Sequence, residues 1–183
     1  VIDTYDTSIG FACLNSAWLS ASEKDKGNLV LSRAQFNDAY QHIENADVKV
    51  ALWHHPFACL HESDASRSKA QVLQRFHLCL NGHFHEEDGN SVVSPDGQSQ
   101  IFTCPALYAK GEQSGFMCYQ LDMSSRKLNI HSFRWNERKG FFVYNTDFSN
   151  NGQWSVSLLG QDSLSDKAIV VQRKTTAIQE SQC

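Results

Sequence analysis

A basic excess is missing from this chain. Its 16 Lys and Arg are outnumbered by 20 Asp and Glu, giving a net charge of −4 over 183 residues. That balance offers no basic excess to argue for a nucleic-acid surface or an anionic membrane. No apolar run approaches the ~18 residues of a membrane-spanning helix. The six cysteines are Cys13, Cys59, Cys79, Cys104, Cys118 and Cys183, and none forms Cys-x-x-Cys. Cys13, Cys79 and Cys118 lie inside apolar runs and read as small core residues. A chain of this length needs no disulfide scaffold, so reduced thiols in a cytoplasmic protein are expected. Internal repeats and low-complexity segments are absent as well. So is an initiator methionine: the sequence enters on Val1-Ile2-Asp3 and reads as a piece of a longer protein.

What remains is ordinary globular composition, 41% hydrophobic and 11% aromatic, enough to bury one core. Within it stand two histidine motifs, each at the end of an apolar run. Val48-Lys49-Val50-Ala51-Leu52-Trp53 leads into His54-His55-Pro56, and Leu78-Cys79-Leu80 leads into Asn81-Gly82-His83-Phe84-His85. Each reads as a buried strand that delivers imidazoles to a loop. Ligand sites in open α/β sheets gather beyond the carboxyl ends of strands. His54 and His83 are 29 residues apart, enough for a helical crossover between parallel strands.

The rest of the chain fits that reading. Ile9 to Asn15 predicts a buried strand. Ser32 and Gln35 form a capping box ahead of a helix over 33–45, with Phe36, Tyr40 and Ile43 at helical spacing. Residues 48–53 are apolar at nearly every position, as in a parallel strand covered on both faces. A second helix over 66–76, with Ala70, Leu73 and Phe76 on one face, crosses to a strand at 78–81. The order strand, helix, strand, helix, strand argues for a parallel α/β layer. After Gly82, turn residues crowd the sequence between short runs at 92–93, 101–104, 116–121, 128–135, 141–144 and 154–158. These hairpins are expected to form an antiparallel sheet, with Phe141, Phe142 and Tyr144 in its core. Residues 1–160 form the domain, and 161–183 form a polar, loosely ordered tail.

The two motifs resemble the last two of the five sequence blocks of the calcineurin-like metallophosphoesterase family. Those blocks are, in order, Asp-x-His, Gly-Asp-x-x-Asp, Gly-Asn-His-Asp/Glu, His-His-Pro and Gly-His-x-His. This chain has the fourth as His54-His55-Pro56 and the fifth as Gly82-His83-Phe84-His85, and it lacks the first three. The resemblance spans roughly residues 8 to 160. It implies an α/β fold, the C-terminal half of a four-layered α/β/β/α sandwich with antiparallel strands toward the C-terminus. It implies hydrolysis of a phosphomonoester or phosphodiester, from a small-molecule or nucleotide substrate, by metal-bound hydroxide. The cofactors would be two divalent metal ions, drawn from Mn, Fe, Zn or Ni. His54 and His83 would ligate the second ion and His85 the first, with His55 supporting the site without binding metal. The bridging Asp, the Asn ligand and the acid-donating His would come from the missing N-terminal half, so the isolated chain is expected to be inactive.

Two other functions compete with this one. One is a catalytically inactive phosphoesterase-like module for binding or regulation. The other is a β-rich interaction domain with incidental histidines. Around the motifs, His61 reads as an exposed loop residue, and His42, His77 and His131 as structural. Glu86-Glu87-Asp88 reads as a solvated acidic turn, and Cys59 lacks an orienting partner for a nucleophile. Gly82 is expected to serve a turn too tight for a Cβ.

Overall fold

The computed structural model describes residues 1–4, 7–22, 25–84, 88–94, 97–108 and 114–158. The expected tail, 161–183, and His85 lie outside the described residues. Among the described residues, ten strands and two α-helices follow one another as β1 (Ile2–Asp3), β2 (Ser8–Cys13), α1 (Arg33–Gln41), β3 (Val48–Leu52), α2 (Glu62–Arg75), β4 (Leu78–Asn81), β5 (Asp88–Ser94), β6 (Gly97–Thr103), β7 (Gly115–Asp122), β8 (Lys127–Asn136), β9 (Phe141–Tyr144) and β10 (Gln153–Ser157). A 3-10 turn, Phe57–Cys59, precedes α2. The fold is mixed α/β, built on two sheets.

The first sheet has six strands in the order β1-β2-β3-β4-β6-β5. β2, β3, β4 and β6 run parallel, and β1 and β5 close the edges antiparallel. The parallel layer expected from the periodicity is therefore present. The β5–β6 hairpin does not join the later strands in a purely antiparallel sheet, as its turn-rich sequence suggested. β6 inserts beside β4 and extends the parallel layer. The reason lies in its burial: Ser99, Gln100, Phe102 and Thr103 are all buried, the signature of a central strand rather than a half-exposed one. The second sheet pairs β8 with β7, β9 and β10, all antiparallel.

Two cores hold three layers together. On one face of the first sheet, Phe36 of α1, Val72 of α2 and Phe76 pack against Ala12, Ala51 and Cys79. On the other, Val48, Val50, Leu78 and Phe102 meet Leu128, Ile130 and Leu158 of the second sheet region. The described residues thus form an α/β/β stack. The far face of the second sheet carries Phe116 stacked on Phe133 at 4.9 Å and Phe133 stacked on Tyr144 at 4.7 Å. Its rings remain partly open, with Trp135 39% exposed. Of the aromatics expected inside the sheet core, Phe142 and Tyr144 therefore lie on its outer side, while Phe141, paired with Asn136, alternates to the other face and is 54% exposed.

Local details depart from expectation for physical reasons. Ser32 accepts the amide N–H of Gln35 at 3.4 Å, half of the capping box. The Gln35 side chain turns away from Ser32, donating to Leu31 O and Asn15 O and accepting from the Asn15 N–H, so it ties α1 to the loop after β2. The second helix starts at Glu62, earlier than its apolar residues suggested. Its buried face runs through Ser68 and Val72, because Asp64 accepts from the Leu31 amide and anchors the first turn. Cys79 is buried as expected, while Cys13 and Cys118 are exposed.

Gly10 marks the closest approach of β2 to the helical layer. A Cβ there would fall 2.5 Å from Ile43 Cβ and 3.0 Å from Ala46 Cβ. Gly10→Ala should cost about 1–3 kcal/mol by overpacking, measured by urea unfolding. A loss under about 0.5 kcal/mol would show that the helix end can move aside.

His77 directly precedes β4, donating its N–H to Lys49 O and accepting the Lys49 N–H at Nδ1 over 3.1 Å. Burial first, and the Lys49 charge second, push its pKa down to about 4. The unfolded chain therefore binds this proton near pH 6.5 and the folded chain only near 4. Stability should fall by about 2–3 kcal/mol as pH drops through that window, and stay level above it. His77→Asn, which keeps an acceptor but cannot titrate, should remove most of that slope in denaturant titrations at pH 7.5 and 4.5. A slope unchanged in the variant would assign the acid sensitivity elsewhere.

Candidate metal centre

β3 and β4 are neighbours, in register with Leu52 opposite Leu80. Their hydrogen bonding continues past the strand ends. The Trp53 N–H donates to Leu80 O at 3.1 Å, and the Gly82 N–H donates to His54 O at 3.0 Å. This pins the loop after β3 to the loop after β4, with His54 level with Gly82 and His83 one residue beyond. His54 Nε2 and His83 Nδ1 stand 3.3 Å apart. The His55 ring centroid is 4.7 Å from that of His54 and 4.6 Å from that of His83. One ligand atom from each of the three residues lies within 4.8 Å of the others.

The turn that presents His83 differs from expectation. Gly82 is not the residue that needs to lack a Cβ: one added there would meet only His54 Nδ1 at 3.7 Å and Cys104 O at 4.0 Å, ordinary contacts. The left-handed residue is His83 itself, at φ 73°. A non-glycine residue in that region carries strain that the surrounding structure must hold, and such residues gather at functional sites.

His55 is buried at 7% exposure, while His54 and His83 face solvent. The group that holds His55 is Ser16, on the loop after β2 and itself 1% exposed. Ser16 Oγ accepts the His55 backbone N–H at 2.9 Å and hydrogen-bonds His55 Nδ1 at 3.0 Å. No motif signalled Ser16. The only hint in the sequence is its position just past a buried strand. Desolvation, and then the neighbouring His83, hold the His54 pKa below its usual value. His55 is lowered by desolvation and then by His54 and His83, with Ser16 opposing. Both shifts favour the neutral ring, the form that donates a lone pair to a metal.

The donor set suits a divalent transition metal. Imidazole nitrogens bind such ions at 2.0–2.1 Å, so two ligands of one tetrahedral ion lie about 3.4 Å apart. The His54–His83 separation falls at that spacing. His85, also expected as a ligand, lies outside the described residues. Of the other histidines, His61 is exposed with Nδ1 2.9 Å from Ser63 Oγ, and His42 Nδ1 donates to Asp38 O. Asp88, expected in a solvated acidic turn, begins β5 and spends its carboxylate on the Gly89 N–H and the Asn90 side-chain amide, while Glu86 and Glu87 lie outside the described residues. Cys59 is buried, and burial pushes its thiol pKa up, which opposes a thiolate nucleophile. Among the described residues no helix is long and apolar enough to cross a membrane. No known family model matches the chain, and no curated protein matches it at a significant level.

Proposed function

We propose that this chain is the second half of a dinuclear metallophosphoesterase of the calcineurin-like type, acting in the cytoplasm on a phosphomonoester or phosphodiester. The observation that carries the reading is the 3.3 Å approach of His54 and His83 from the ends of adjacent parallel strands. His54 and His83 would hold one ion and His85 the other. The ions, Mn, Fe, Zn or Ni, would supply charge to the phosphoryl oxygens and a strong nucleophile at neutral pH. The chain's own part is to fix two imidazoles at co-ligand spacing, through the β3–β4 ladder and the strained His83 backbone. The bridging carboxylate and the remaining ligands would come from an N-terminal half, whose helices would also supply the fourth layer of the sandwich.

Calorimetric titration of the 183-residue chain with Zn²⁺ tests this. Binding should be measurable, far looser than a complete dinuclear centre, and absent in His54→Ala and His83→Ala. A pair of ions that survives dialysis would overturn the ligand assignment, as would binding indifferent to both substitutions.

A further inference from the structure

We propose that His55 is a third ligand of the ion held by His54 and His83, and that Ser16 is its positioning residue. The chain's own imidazoles would then form a three-histidine site for one borderline divalent ion such as Zn²⁺ or Co²⁺. This rests on the proposed function for the first two ligands and adds a third from this chain.

Three observations converge. The donor atoms of His54, His55 and His83 already lie within 4.8 Å of one another. Closing the widest gap to co-ligand spacing takes roughly an ångström and a half. The second observation is the bond on the far side of the His55 ring. A ligating histidine almost always gives its other ring nitrogen to a hydrogen-bond partner that fixes ring and tautomer. Ser16 Oγ is in that place, 3.0 Å from Nδ1. With Nδ1–H donating to Ser16, the lone pair of His55 sits on Nε2, the nitrogen left free of Ser16. The third is that the same hydroxyl also accepts the His55 backbone N–H. Ser16 therefore sets main chain and ring together, and it does so from a fully buried position. A histidine present only for packing would have no use for this double tether beside two exposed imidazoles.

The test is titration of the 183-residue chain with Co²⁺, whose visible bands report coordination number and nitrogen ligation, followed by Zn²⁺ competition. One ion per chain should bind, with four-coordinate intensity. His55→Ala and His55→Asn should each weaken binding by roughly 100-fold or more and change the band pattern. Asn keeps a partner for Ser16, and equal thermal midpoints would separate ligand loss from misfolding. Ser16→Ala should weaken binding about 10–100-fold without changing the bands. Nitrogen-15 imidazole spectra should place Zn²⁺ on His55 Nε2 with Nδ1 still protonated. Unchanged affinity in both His55 variants, with binding lost in His54→Ala and His83→Ala, would overturn this inference and leave the proposed function standing. Binding indifferent to His54 and His83 would overturn the proposed function itself.

Discussion

His83→Ala or His54→Ala, made in protein that carries the complete ligand set, should lower kcat/KM for an aryl phosphodiester by roughly 10³-fold or more, about 4 kcal/mol in barrier. The size follows from what each imidazole would hold under the proposed function. Removing it would take an ion's charge away from the phosphoryl oxygens, and metal stabilisation of that kind is worth several kcal/mol. The 183-residue chain by itself should turn over no faster than its own His83→Ala variant, because the bridging carboxylate of the proposed centre belongs to a block that this sequence lacks. His83-dependent turnover by the chain alone would mean that a second copy completes the site, or that the phosphoesterase reading is wrong. Steady-state rates with added Mn²⁺ check both statements.

Phe102→Ala should be the most damaging change in the core between the sheets, at about 3–5 kcal/mol. Phe102 is fully enclosed on β6. Its ring lies 5.5 Å from Tyr119 of β7 and 5.7 Å from Trp154 of β10. The backbone of β5 closes over it, so that a Cβ at Gly89 would fall 2.7 Å from the ring. With strands fixed on several sides, the cavity left by truncation has little means to collapse. Urea unfolding of the variant, followed by fluorescence and circular dichroism, measures the loss. A change under about 1 kcal/mol would show that the two sheets do not depend on this contact.

How much of this was readable in advance follows from the range of the interactions. The strands at 48–52 and 78–81 announce themselves locally, because a parallel strand covered on both faces is apolar throughout. Their adjacency, and the convergence of His54 with His83, follow from one short crossover. The placement of β6 does not, since β5 lies between it and its neighbour β4 in the sequence, and pairing of that kind leaves no periodic trace. Ser16 was illegible for the same reason: its partner is 39 residues away, and serine beside a strand end is common. Gly82 drew attention as the turn glycine, yet the strain sits on His83. Sequence marks where a glycine is permitted, and only the backbone shows which residue the turn forces into the left-handed region. The outward placement of Phe133, Phe142 and Tyr144 was hidden in the same way, because a two-residue alternation fixes which residues share a face and leaves open which face is covered.

The central claim is that His54 and His83 share one metal ion. Crystals grown with Zn²⁺ and measured at the zinc absorption edge test it most directly. The account predicts one anomalous peak about 2.1 Å from both His54 Nε2 and His83 Nδ1. A map with no peak there, and the two rings still in direct hydrogen-bond contact, would contradict it.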